Sequence, residues 1–181
     1  MSFSAAVLFV CLGNICRSPL GEGIMKDYVK KQGLSDKIKV YSCATSSYHI
    51  GQHPHSGGIA CAKRHGIDIS DYRASQIQKK DFEEYDLIIA MDRYAILLSY
   101  WFSCWSSSFL CLSFVLLSFI LSWYKMLRDN YEDLKYYKKS HKASDHAQIK
   151  MLSDFLPGRE GEDVPDAYYA NGTLFYSLVH L

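Results

Sequence analysis

Net charge is nearly missing from this 181-residue chain, in which 20 Lys and Arg face 19 Asp and Glu, leaving +1 with histidine neutral. A protein that grips nucleic acid or a strongly acidic partner carries a surplus of one sign, and neither partner is expected here. The six cysteines, at positions 11, 16, 43, 61, 104 and 111, lack the paired spacing of a zinc site. No cleavable signal precedes Cys11, so the expected setting is cytoplasmic, where thiols stay reduced. No internal repeat stands out, and the length suggests one domain over residues 1–181. The sharpest absence is local. From Tyr94 to Tyr124 there is no charged residue, and this stretch carries all three tryptophans, Trp101, Trp105 and Trp123.

What is present concentrates in Cys11-Leu12-Gly13-Asn14-Ile15-Cys16-Arg17-Ser18, directly after the apolar run Ala5 to Val10. The run reads as a buried strand, and a helix is expected from about Ser18 to Lys31, with Pro19 at its first position. Backbone N–H groups in such a loop converge into a nest for a tetrahedral oxyanion, and the helix adds the positive end of its dipole. That setting favours the thiolate of Cys11, the nucleophilic form. Arg17 supplies a planar fork able to hold two phosphate oxygens. Gly13 and Asn14 tolerate the backbone angles a tight nest needs. Alone, a Cys and an Arg at this spacing recur by chance, and a buried Cys usually acts as a small hydrophobe. In this context the parts describe phosphoryl transfer to sulfur.

Elements alternate along the chain. Strands are expected at Ala5 to Val10, Lys37 to Cys43, Leu87 to Met91 and Gln148 to Ser153. Helices are expected at Pro19 to Lys31, with an apolar face of Leu20, Ile24, Tyr28 and Val29, and at His55 to His65, ending on Gly66. Strands alternating with helices imply a parallel sheet covered on both faces, with ligands beyond the carboxyl ends of its strands. Cys11 lies at such an end.

The stretch VLFVCLGNICRSP resembles the low-molecular-weight protein tyrosine phosphatases. The likeness continues through Tyr41-Ser42, Lys63-Arg64-His65-Gly66-Ile67, Lys80-Asp81-Phe82, Tyr85-Asp86 and Met91-Asp92. It resumes at Asn130-Tyr131-Glu132-Asp133-Leu134 and Val164-Pro165-Asp166-Ala167-Tyr168-Tyr169. It implies a three-layer α/β fold with a four-stranded parallel sheet of the flavodoxin-like phosphatase type. It also implies roles. Cys11 would attack phosphorus to form a cysteinyl-phosphate, Arg17 would bind the equatorial oxygens, and Asp166 would act as general acid and then base. Leu12, Gly13, Asn14, Ile15, Cys16 and Ser18 would complete the phosphate loop, with Ser18 donating a hydrogen bond to the thiolate and Ser42 bracing Asn14. Tyr48, Tyr168 and Tyr169 would wall the aryl pocket, although exposed loop tyrosines are common. Cys16 is either a passive loop residue or, as the family implies, the redox partner that protects Cys11 as a reversible disulfide. His49 and His65 are expected to be structural. No cofactor and no metal is expected, and the substrates would be phosphotyrosine proteins or small aryl phosphates.

Three departures from the family stand out. Between Ala95 and Tyr124, 26 of 30 residues are Phe, Leu, Ser, Tyr, Cys or Trp, types that share codons beginning with U. By length and apolarity the stretch is a membrane-span candidate or a helical insertion, yet one crossing would put Cys11 and Asp166 on opposite sides of a bilayer. Joining Arg93 to Asp129 restores the family pattern, so residues 94–128 read as an intron-like insertion interrupting one phosphatase domain. Beyond Tyr169 only Ala170 to Leu181 stand in place of a long C-terminal helix, which reads as a truncated C-terminus. The loop Asp68 to Ser75 lacks the His and Arg that relatives often carry, and that His helps position the serine after the catalytic Arg. Three functions follow: a tyrosine phosphatase with acid phosphatase activity, an arsenate reductase of the same fold, or a catalytically dead variant that is misfolded or membrane-associated through residues 94–124. Arsenate reduction needs a resolving cysteine pair, and Phe82 to Met91 contains no Cys.

Overall fold

A computed structural model describes residues 4–92 and 130–164. Its centre is a four-stranded, all-parallel sheet of order β2-β1-β3-β4. The strands are β1 (Ala5–Cys11), β2 (Ile38–Ala44), β3 (Leu87–Ala90) and β4 (Gln148–Met151). The helices are α1 (Arg17–Lys31), α2 (Ser56–Arg64), the single turn α3 (Asp81–Glu84) and α4 (Asn130–Ser140). A 3-10 turn follows β4 at Leu152–Phe155. The expected four-stranded parallel sheet with helices on both faces is present.

Strand β1 is the middle layer, apolar on both sides. Because side chains alternate along a strand, Val7, Phe9 and Cys11 enter one cluster with Leu20 and Val29 of α1 and Cys61 and Ala62 of α2. Ala6, Leu8 and Val10 enter a second cluster, with Phe82 of α3 and Leu134 of α4. A continuous apolar run is what a strand covered on both faces requires. Each fully buried Leu, Ile or Phe contributes about 1.5–3 kcal/mol.

Several boundaries differ from the sequence expectation. Helix α1 begins at Arg17, with Cys16 at its N-cap, so Pro19 is the third helical residue and not the first. The first turn has no intrahelical acceptor for its N–H groups, so proline fits anywhere in it. Tyr28 is 58% exposed, against the apolar face expected for it. Glu22 and Gly23 turn inward instead. The glycines decide this: a Cβ on Gly21 would lie 2.8 Å from Phe9 Cδ1, and one on Gly23 would lie 2.6 Å from Ile69 Cγ2. The bare side of α1 comes closest to its neighbours and sets the rotation of the helix. Strand β4 stops at Met151, where the 3-10 turn takes over, and β1 extends one residue further, to Cys11 itself. Helices α3 and α4 were not expected; α3 is too short for any periodicity to show, and α4 lies directly after the apolar stretch. The helical insertion expected within residues 94–128 lies outside the described residues. Among the described residues no helix is long and apolar enough to cross a membrane.

Candidate active site

The loop between β1 and α1 folds around the Cys11 sulfur. Asn14 takes a positive φ of 54°, a conformation that asparagine tolerates better than most residues. That turn brings the Asn14 N–H to 3.3 Å from Cys11 Sγ, to which it donates. The Ser18 hydroxyl lies 3.0 Å from the same sulfur. Cys11, Asn14, Cys16, Arg17 and Ser18 are all buried. Leu12 is exposed at the lip, with Gly13 and Ile15 half-buried. Gly13 has a steric reason to lack a side chain, since a Cβ there would meet His49 Cδ2 at 2.8 Å. His49 therefore packs on the loop, and its Nδ1 is bonded to Gln52.

Asn14 is the hub. Its side-chain Nδ2 donates to Ser18 Oγ at 2.9 Å and to Ser42 Oγ at 2.8 Å. Its Oδ1 accepts from the backbone N–H of Ser75 at 3.0 Å. The loop from Asp68 to Ser75 thus supports the site through a main-chain donor. Beyond Ser42 stands Glu22, only 6% exposed. Ser42 Oγ donates to Glu22 Oε2 at 2.5 Å, and Lys26 Nζ donates to Oε1 at 2.6 Å. Burial opposes charge on Lys26, yet the hydrogen bond and charge of Glu22 outweigh it, so the amine keeps its proton to higher pH than an ordinary lysine.

Arg17 is 5% exposed and ion-paired with Asp92, Nη1 to Oδ2 at 2.5 Å. The same Nη1 donates to the Val164 carbonyl at 3.3 Å. Asp92 Oδ1 also accepts from the backbone N–H of Asn130 at 2.8 Å and from its side chain. The Val164 N–H in turn donates to the Met91 carbonyl at 2.8 Å, at the end of β3. The guanidinium is therefore held by Asp92, just after β3, and by Val164, far along the chain, with Asn130 bracing Asp92. Burial pushes the neighbouring Cys43 thiol well up. Among the described residues, Cys11, Cys16, Cys43 and Cys61 are in no disulfide. Among the described residues no cluster of His, Cys, Asp or Glu could hold a metal.

Of the residues singled out from sequence, Cys11 to Ser18 and Ser42 come together. Tyr48 lies on the surface, 69% exposed. Asp166, Tyr168 and Tyr169 lie outside the described residues. Sequence reasoning missed Glu22, Ser75, Asp92 and Asn130 as parts of the site. Asp92 and Asn130 sat inside quoted family motifs without a role. Glu22 carried no signal in the hydrophobic pattern, because it lies off the face of Leu20, Ile24 and Tyr28.

A loop of donors around a buried thiol, at the N-terminus of the 15-residue helix α1 and beside a buried arginine, can receive a tetrahedral oxyanion. The family model for low molecular weight phosphotyrosine protein phosphatase matches residues 6–99. The human low molecular weight phosphotyrosine protein phosphatase is 51% identical over 87 residues, covering 48% of this chain and 54% of the human one. YfkJ of Bacillus subtilis is 47% identical over 87 residues, covering 48% of this chain and 56% of its own. Its crystal structure superposes with a TM-score of 0.69 at 30% identity, covering 99% of this chain and 89% of that one. A putative member from Synechocystis is 31% identical over 175 residues, covering 97% of this chain and 87% of its own. The chain belongs to the low molecular weight phosphotyrosine protein phosphatase family. The match spans about half the length of the first two curated relatives.

Proposed function

We propose that the chain hydrolyses phosphotyrosine and small aryl phosphates through a cysteinyl-phosphate. The observation that carries this reading is the Cys11 sulfur at 3.0 Å from Ser18 Oγ and 3.3 Å from the Asn14 N–H, in a buried loop beside Arg17. Family membership supports it. Cys11 sulfur attacks phosphorus; the S–P bond forms as the P–O bond to the aryl group breaks. Asp166 protonates the departing phenolate. Water then attacks phosphorus while the Asp166 carboxylate takes its proton, the S–P bond breaks, and inorganic phosphate leaves with the thiolate restored. Arg17 and the loop N–H groups carry the charge of the equatorial oxygens in both steps. Supporting the role of Asp166, the Val164 carbonyl two residues before it accepts from Arg17. Tyr48, Tyr168 and Tyr169 wall the aryl group. Under peroxide, Cys11 and Cys16 close a disulfide, giving two electrons to the oxidant and two protons to solvent. Four free thiols fit a reducing, cytoplasmic setting.

The test is hydrolysis of para-nitrophenyl phosphate by the full chain, with Cys11→Ser as the blank. Turnover that disappears in Cys11→Ser is expected. Turnover equal to the blank, from a protein with native-like circular dichroism, removes the reading.

A further inference from the structure

The hydrogen bonds around Asn14 have a direction, and a buried charge sets it. Glu22 is an acceptor only, so Ser42 spends its single hydroxyl proton on Glu22 Oε2. Its lone pairs then face Asn14 Nδ2, which obliges the amide to present its oxygen to the Ser75 N–H. Nδ2 also donates to Ser18 Oγ, leaving the Ser18 proton for Cys11 Sγ or the Cys43 carbonyl, 3.3 Å away. A carboxylate this deeply buried is costly without a close cation. Lys26, one turn along α1 at 2.6 Å, is that cation. It is held in place by the rings of Tyr41 and Tyr72, 4.7 and 4.9 Å from Nζ.

We propose that Lys26 is a positioning residue: by pairing with buried Glu22 it orients the Ser42–Asn14–Ser18 hydrogen bonds that end on the Cys11 sulfur. The inference rests on the reading of Cys11 as nucleophile. Among the described residues, other charged or titratable groups also face these hydrogen bonds, and Asp81 acts on Cys43 electrostatically. Lys39 reaches Tyr41 from β2, 5.4 Å from its centroid. Asp68, in the loop after α2, acts on Tyr72 electrostatically. Cys43 and Arg17 flank Cys11 itself.

Alkylation of Cys11 by iodoacetamide, followed by peptide mass spectrometry across pH 5–9, tests this without needing turnover. Lys26→Met is expected to move the Cys11 profile to higher pH, slowing alkylation at pH 6 by about threefold or more, the effect of half a pH unit. It also lowers kcat on para-nitrophenyl phosphate with KM little changed. Lys26→Arg retains the parent profile. Lys26→Gln keeps a donor without the charge, and where Lys26→Met does not fold it must show the same displacement. In a Ser42→Ala background the Lys26 substitution has no further effect, because the link is already cut. A folded Lys26→Met or Lys26→Gln with the parent's profile, whatever its loss of thermal stability, overturns the proposal. A parent chain whose Cys11 alkylates like an ordinary thiol sinks the nucleophile reading, and the proposal with it.

Discussion

Removing residues 94–128 should leave a chain that folds better and keeps the site. The reason lies at Asp92. Its side-chain Oδ1 accepts from the N–H of Asn130, and its backbone carbonyl accepts from the N–H of Tyr131 at 3.2 Å. An N-cap residue makes these contacts with its own helix, the side chain to the third residue and the carbonyl to the fourth. In the present chain Asn130 follows Asp92 by 38 positions. With 94–128 deleted, the run reads Asp92-Arg93-Asp129-Asn130-Tyr131, and the spacings become three and four. Asp92 already caps α4 across the interruption, so the deletion should join the ends without displacing either.

The magnitude follows from loop closure. Closing a loop of about 37 residues costs roughly 3 kcal/mol, and a two-residue connection roughly 0.6, by the logarithmic dependence on length. The deletion should therefore stabilise by roughly 2.5 kcal/mol, which for a domain of this size is a rise in Tm of about 5–10 °C. Differential scanning calorimetry of both chains, with turnover measured alongside, reads the effect. A deleted chain that melts lower, or that loses turnover the full chain possesses, refutes the reasoning. It would show that 94–128 contribute contacts the neck at Asp92 does not reveal.

Four further outcomes are expected. Asp92→Ala removes the partner of a buried Arg17 and the cap of α4 together, costing about 3–5 kcal/mol, and in the stabilised deletion background it should depress kcat/KM as well as Tm. Gly23→Ala drives a Cβ to 2.6 Å from Ile69 Cγ2 and should destabilise by about 1–3 kcal/mol in denaturant titration, with KM unchanged. Asp166→Asn should lower kcat about 10²–10⁴-fold on substrates with poor leaving groups and least on para-nitrophenyl phosphate, since a good leaving group needs little protonation. Lys26 gains proton affinity on folding, so its pairing contributes stability below the ordinary lysine value of 10.5 and loses it as pH rises through the higher folded value. The Tm difference between the parent and Lys26→Met should therefore be constant at neutral pH and shrink in the alkaline limb; a difference that does not shrink contradicts the assignment.

What could be read from the sequence was what local chemistry and alternation dictate. The run Ala5 to Val10 is apolar at every position, so either face had to be covered, and the strand needed no tertiary knowledge. The turn from Cys11 to Ser18 was legible as one unit because its residues fold around one sulfur within eight positions. Helix α1 was legible as a helix but not in its rotation. Hydropathy pointed to Tyr28, while close approach at Gly21 and Gly23, invisible to any hydrophobic pattern, turned Glu22 inward. Asp92 and Asn130 could not be read as a pair, because their contact spans an interruption that sequence spacing counts and three-dimensional distance does not.

Those two blind spots share a cause, and it explains how the site is built. The loop supplies the sulfur and the N–H groups from one short stretch, but the side chains that hold it come from elsewhere. Ser42 comes from β2, Ser75 from the loop after α2, Asp92 from beyond β3, and Val164 from beyond β4. Because the sheet is parallel, Ser42 near the end of β2 and the segments that follow β3 and β4 lie at carboxyl ends, on the same side as Cys11, and Ser75 joins them beside Ala44, the last residue of β2. An interruption placed after Asp92 leaves that edge at a single point and returns to it at Asn130. The strand order, the register and all five segments around the sulfur lie outside it. The topology that gathers the site at one edge thus also confines a long insertion to one neck. A second insertion placed between β1 and α1 would behave oppositely: even two residues between Asn14 and Arg17 should abolish turnover while leaving the melting temperature within a few degrees, because there the geometry is carried by the loop itself.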